Sequence, residues 1–278
     1  MTTWFITGIS RGLGLALARA ALAEGDTVIG TVRSGTPDLD PGPGTLHVLT
    51  LDLADGAAID VTVERAFALA GAIDVIVNNA GYGLLGAVEK ATDAEVARLF
   101  QVDVFGPFAI IRAALPRLRA QGAGHIVNIT SIAGRAPTIG TALYSAAKYA
   151  LEGLSASLAQ EIAPLGIKVT AVAPGAFRTD FLSAHSIRKS EVGDEAYAAG
   201  VRRSAAAFDD MAGKQLGDPD RAARAIIATV RADEPPLHLL LGTDALRRAR
   251  EKLDAVIAEM DRWEDVTRST DFPAAASV

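Results

Sequence analysis

Cysteine is absent from the 278 residues. That absence excludes disulfides, thiolate zinc sites, iron–sulfur ligation and a cysteine nucleophile. Histidine is scarce, and His47, His125, His185 and His238 show no pair at a helical ligand spacing, so no metal site is expected. Long apolar runs are missing too. Mean hydropathy is +0.25, yet charges, glycine or proline break every stretch before the roughly 18 residues a spanning helix needs. Residues 1–5 lack the basic region and apolar run of a secretion signal. Positive charge is not in excess either: 27 Lys and Arg stand against 33 Asp and Glu, a net charge of −6. Binding to a polyphosphate backbone needs clustered cations, so nucleic acid is not an expected partner. The expectation is a soluble cytoplasmic protein with no membrane insertion.

What is present is a repeating order of elements. Short, β-branched, unalternating apolar runs occupy residues 3–7, 27–32, 46–51, 73–78, 125–130, 167–172 and 237–241. Such runs fit strands buried on both faces, as in a parallel sheet. Between them lie Ala- and Leu-rich segments of helical periodicity at 13–23, 57–70, 93–120, 144–163 and 219–231. Strand and helix therefore alternate almost throughout, which predicts a Rossmann-like, doubly wound parallel sheet of about seven strands with helices on both faces. Punctuation agrees: Thr92 to Glu95 reads as a capping box, and Asp218-Pro219 as an N-cap followed by proline at the first helical position. No linker or repeat divides residues 1–278, so one domain is expected.

Two segments stand outside the alternation. Residues 181–217 have mixed charge and little β pattern, and read as an excursion above the sheet that serves substrate binding. The last helix, 244–263, carries Leu246, Ala249, Leu253, Val256, Met260 and Trp263 at alternating three- and four-residue steps. Packing of that stripe on its own domain is the first expectation, and a contact with another subunit is the alternative.

A glycine loop, Gly8-Ile9-Ser10-Arg11-Gly12-Leu13-Gly14, follows the first strand and opens directly into a helix. Glycine allows a sharp turn and close approach to a pyrophosphate, whose charge then sits at the helix N-terminus. An NAD site wants an acidic residue at the end of the second strand for the 2′-hydroxyl of the ribose. Here that end reads Thr31-Val32-Arg33-Ser34, and Asp26 lies at the wrong end of the strand. Arg33, with Arg11, suits a 2′-phosphate instead, so NADP(H) is favoured and NAD(H) remains possible.

Further along stand Ser131, Tyr144 and Lys148. Tyrosine and lysine four residues apart share one helix face. A free tyrosine titrates at about 10, and a nearby ammonium lowers that value by stabilising the phenolate. Ser131 ends a strand at the carboxyl edge, where open α/β sheets bind ligands. Its hydroxyl can donate to a substrate oxygen while Tyr144 exchanges the proton, with hydride passing between that carbon and a nicotinamide.

Taken together, these motifs resemble the short-chain dehydrogenase/reductase family, in its compact single-domain branch. The resemblance rests on Thr7-Gly-x-x-x-Gly-x-Gly14, Asn78-Asn79-Ala80-Gly81, Ser131, Tyr144-Ser-Ala-Ala-Lys148, and Pro174-Gly175 with Thr179, in family order. It implies Tyr144 as general acid/base, Ser131 as the carbonyl-orienting donor, and Lys148 as the partner of the nicotinamide ribose. It further implies that Asp52 and Leu53 meet the adenine, and that Asn79, with Ala80 and Gly81, lies on the adenosine side. Pro174, Gly175, Phe177 and Thr179 would line the nicotinamide and its phosphate. Where the family often has asparagine, this chain has Asp103, in Asp103-Val104-Phe105-Gly106. Asp103 keeps the main-chain carbonyl and adds a charge that favours Lys148 as ammonium but opposes a Tyr144 phenolate. The implied substrate is a small-molecule alcohol or ketone, here hydrophobic. The implied assembly is a homodimer or homotetramer through helices 103–120 and 144–163. The alternative from another class is a non-catalytic dinucleotide-sensing or scaffold protein on the same fold.

Overall fold

Neighbouring side chains of the first strand enter opposite cores. Trp4 and Ile6 pack on one face of the sheet and Phe5 on the other, all at most 1% exposed. This strict alternation explains the unbroken apolar runs: each strand supplies both faces. The computed structural model describes residues 1–183, 186–191, 193 and 195–272. His185, noted above, lies outside the described residues, as do other positions within 181–217.

The strands are β1 (Thr3–Thr7), β2 (Thr27–Val32), β3 (Thr45–Thr50), β4 (Val75–Asn78), β5 (Gly83–Leu85), β6 (Gly124–Ile129), β7 (Ile167–Pro174), β8 (Ile187–Lys189) and β9 (His238–Leu241). The helices are α1 (Gly12–Ala23), α2 (Gly56–Ala70), α3 (Asp93–Phe100), α4 (Gly106–Gln121), α5 (Ala142–Ile162), α6 (Arg203–Met211), α7 (Pro219–Val230), α8 (Thr243–Arg262) and α9 (Glu264–Arg268). Seven strands form one parallel sheet in the order β3-β2-β1-β4-β6-β7-β9. Helices α1 and α7 cover one face, and α2, α4 and α5 the other. The strand order reverses between β1 and β4, and that switch point opens a crevice at the carboxyl ends.

Both capping expectations hold. Thr92 Oγ1 accepts from Glu95 N at 3.2 Å while the Glu95 carboxylate accepts from Thr92 N at 2.9 Å. Asp218 accepts from the amides of Asp220 and Arg221 at 2.8 and 3.2 Å. Removing such a cap costs about 1 kcal/mol.

Three expectations need correction. The helix expected over 93–120 is interrupted by a π turn, Gln101–Phe105, which joins α3 to α4. An inserted residue of this kind rotates the helix face, and here it directs Asp103 inward. By length and composition the helical stretch Asp93–Gln121 is apolar enough to cross a bilayer. Its apolarity is used in the core, where Leu99, Ile110, Ile111, Ala114 and Leu118 are buried. The excursion 181–217 contains a sheet element after all: β8 pairs in parallel with β5, burying Ile187, Leu84 and Leu85. Finally, α8 packs on its own domain only at its start, where Ala245 and Ala249 meet Ile132, Ala136 and Leu240.

Candidate active site

The crevice is a cavity of about 1220 Å³ whose walls come from the carboxyl ends of the strands and from the excursion. On one wall the glycine loop turns through Gly8 and Gly12 at φ +73° and +59°, a region that disfavours other residues. Asn79 braces this loop: its side-chain amide donates to the Thr7 and Gly8 carbonyls at 2.8 and 3.1 Å. Thr7 Oγ1 in turn accepts from the amides of Asn79 and Ala80, both at 3.0 Å. Both Asn79 amide hydrogens are thus spent on shaping the loop.

Gly8, Ser10, Arg11, Gly12 and Leu13 line the cavity, as do Arg33, Asp52 and Leu53. Arg11 and Arg33 have no carboxylate within 4 Å among the described residues, so both cations stay available to a ligand. Asp26 is committed elsewhere. It accepts from Thr2 N at 2.8 Å and Trp4 Nε1 at 3.0 Å and pairs with Arg231 at 2.9 Å. No acid stands at the end of β2 to receive a ribose 2′-hydroxyl.

Opposite the loop, β7 ends in Pro174, and the chain continues along the cavity through Gly175, Phe177 and Thr179. Thr179 faces Gly12, 3.7 Å from where a side chain there would begin. This stretch is pinned by two contacts that the sequence did not reveal. Asp244, in the first turn of α8, accepts from Ala176 N at 2.9 Å, and Gly217 pairs with Phe177 as an isolated bridge. A Thr-Asp pair after glycine at a helix start was the signal available for Asp244.

Ser131, Tyr144 and Lys148 meet on the third wall. Ser131 caps a short turn, its Oγ accepting from Ala133 N at 3.1 Å. Tyr144 projects from the first turn of α5, its ring 6.0 Å from that of Phe181. Lys148, one turn on, places Nζ 5.7 Å from the Tyr144 ring centre and donates to the Ile129 carbonyl at 3.3 Å.

Behind Lys148 lies Asp103, wholly buried. Its Oδ2 is 3.1 Å from Lys148 Nζ, and its Oδ1 accepts from Tyr82 N at 3.1 Å. Gly81 leaves the room this pair occupies, since a side chain there would begin 3.0 Å from the carboxylate and 3.3 Å from Nζ. Burial pushes Asp103 above the usual carboxylate range, while Lys148 and the Tyr82 amide pull it back. Burial alone would lower Lys148, but the Asp103 carboxylate and Tyr144 outweigh it and raise the ammonium's pKa. Tyr144 is raised by burial first. Lys148 and Ser131 lower it, and the Asp103 charge raises it further.

Of the residues singled out in the sequence, three are not on the cavity wall. Ile9 is fully buried, packed against Gly30 in the core. Gly14 is buried behind the loop against Asn79 and the Gly8 carbonyl. Asp103 stands behind Lys148 and Tyr82, which do line the cavity. Ala80 and Gly81 do line it.

The match to known proteins is extensive. Residues 2–190 match the family described as short chain dehydrogenase. A short-chain dehydrogenase from Streptomyces avermitilis shares 42% identity at a TM-score of 0.87, over 97% of this chain and 98% of that one. The oxidoreductase BOA17 of Botryotinia fuckeliana is 35% identical over 268 residues, 95% of this chain and 97% of its own. A metagenomic short-chain oxidoreductase solved in complex with NADP shares 27% identity at a TM-score of 0.66, over 86% of this chain and 96% of that one.

Proposed function

The chain belongs to the short-chain dehydrogenase family, and on that premise we propose that it is an NADP(H)-preferring oxidoreductase of secondary alcohols and ketones. The observation that carries this reading is the convergence of Tyr144, Lys148 and Ser131 on a cavity whose opposite wall is a glycine loop flanked by two arginines with no carboxylate partner among the described residues. The cradle fits a dinucleotide phosphate. Positive-φ glycines bring backbone amides close, the N-terminus of α1 points at the turn, and Arg11 and Arg33 supply charge for a 2′-phosphate. The NADP-bound relative supports the same choice, with NAD(H) as a weaker alternative.

When bound, the reduced nicotinamide supplies a hydride to the carbonyl carbon. Ser131 donates to the substrate oxygen and fixes its position. Tyr144 gives its phenolic proton to that oxygen as the alcohol forms, and takes one back in the oxidative direction. Lys148 holds the ribose and stabilises the phenolate. Asp103 acts one step back, setting the charge state of Lys148. Asp52 and Leu53 would hold the adenine, while Pro174, Gly175, Phe177 and Thr179 would hold the nicotinamide end; all six line the cavity. Leu85, Phe181, Leu182, Ile187, Phe208 and Met211 line the remaining space, which suits an apolar substrate body. The whole chain serves as one nucleotide-binding domain. Exposed Phe105, Phe108 and Tyr149, on α4, α5 and the turn before α4, support a homodimer or homotetramer through these helices.

The test is NADPH-dependent reduction of a panel of hydrophobic ketones by the wild type and by Tyr144→Phe. Turnover that falls at least about 100-fold in the variant, with cofactor binding retained, is the expected result. Binding of NADPH without turnover of any ketone would move the protein to a dinucleotide-sensing role.

A further inference from the structure

Beyond its first two turns, α8 leaves the body of the protein. Leu253, Ile257, Met260 and Trp263 are 61%, 54%, 60% and 57% exposed. Scattered exposed apolar side chains are ordinary, but a continuous stripe of large ones marks a contact surface. The spacing of this stripe, with Val256, is the three–four repeat of a two-helix seam, and it begins where Ala249 ends the packing of α8 on its own body.

Charge along the helix is polarised. Its first half carries Arg247, Arg248, Arg250 and Lys252 against two acids, Asp244 and Glu251. From residue 253 to its end the helix carries Asp254, Glu259 and Asp261 with a single base, Arg262. A helix so arranged is complementary to itself when reversed. A parallel copy would oppose like charges, and an anionic lipid surface would be repelled by the half that carries the exposed stripe.

We propose that α8 is a self-association surface on which two copies of the chain pair antiparallel about a two-fold axis, distinct from the contact through α4 and α5. An interface of this kind uses the same patch twice, so every attraction occurs twice. With Leu253 across from Val256 of the second copy, the apolar stripes close on each other. Lys252 of each copy then lies beside Glu259 of the other.

Sedimentation equilibrium on the full chain tests this. Leu253→Glu, Ile257→Glu and Met260→Glu combined are expected to halve the mass of the wild-type assembly, with the thermal unfolding of the body unchanged. Lys252→Glu alone and Glu259→Lys alone are each expected to weaken association several-fold, and the two together to restore it. That rescue requires antiparallel pairing of like helices and does not depend on how well the triple variant folds. A triple variant with wild-type mass, or charge reversals without loss and rescue, overturns the proposal. Phe108→Glu reports separately on α4 and α5, so failure of that contact is distinguishable from failure of this one.

Discussion

Asp103 and Lys148 form a buried ion pair, Oδ2 to Nζ 3.1 Å, directly behind the tyrosine face of α5. A carboxylate in this position offsets the ammonium that would otherwise favour a Tyr144 phenolate. Asp103→Asn leaves the pull of Lys148 unopposed, so the Tyr144 pKa falls. Oxidation, which needs the phenolate, is expected to reach its plateau at lower pH. Reduction, which needs the phenol, is expected to fail at correspondingly lower pH. Profiles of kcat/KM against pH in both directions check this, and unchanged profiles in a folded variant would sink it.

Arg33 is expected to decide between the two cofactors. Calorimetry with NADPH and NADH on the wild type and Arg33→Ala should show tighter NADPH binding that drops about 10- to 100-fold in the variant, as befits a lost charge-assisted phosphate contact. NADH binding should hardly move. Equal affinities in the wild type would show that Arg33 and Arg11 are ordinary surface cations and would overturn the NADP preference.

Much of this arrangement was legible in the sequence because it is local. The strand alternation, the caps at Thr92 and Asp218, the glycine loop and the Tyr144–Lys148 spacing each need only a few consecutive residues. What was not legible depends on contacts across the chain. β5 and β8 have three residues each, too few to show a period, and find each other from distant segments. The π turn at Gln101–Phe105 keeps a helical composition, so nothing in the string marks the rotation that buries Asp103. The stripe on α8 reads identically whether its own body or another molecule covers it. Nor does spacing tell that Ile9 and Gly14 sit behind the loop and off the cavity wall.

Asp244 is expected to matter for cofactor affinity although it was not foreseen. Its carboxylate is the acceptor for Ala176 N, in the loop between Gly175 and Phe177. Asp244→Ala leaves that amide without its partner and frees the loop, and the loss should weaken NADPH binding about 10-fold. Asp244→Asn retains an acceptor and should lose less. Calorimetry on both variants checks the order, and Asp244→Ala binding like wild type would refute the role.

His125 is expected to set part of the acid limit of stability. It is 4% exposed, with Nε2 2.9 Å from Thr170 Oγ1, and burial, aided by Lys168, pushes its pKa down to about 4. An unfolded chain titrates its imidazole near 6.5. Between those values the unfolded state binds a proton that the folded state refuses. The contribution is therefore complete above about pH 6.5 and is lost as pH falls towards 4, amounting to about 3 kcal/mol over that window. Urea unfolding across the window should show the wild type losing stability more steeply than His125→Gln, by up to about 1.4 kcal/mol per pH unit. Equal slopes would mean that the folded protein accepts the proton without penalty.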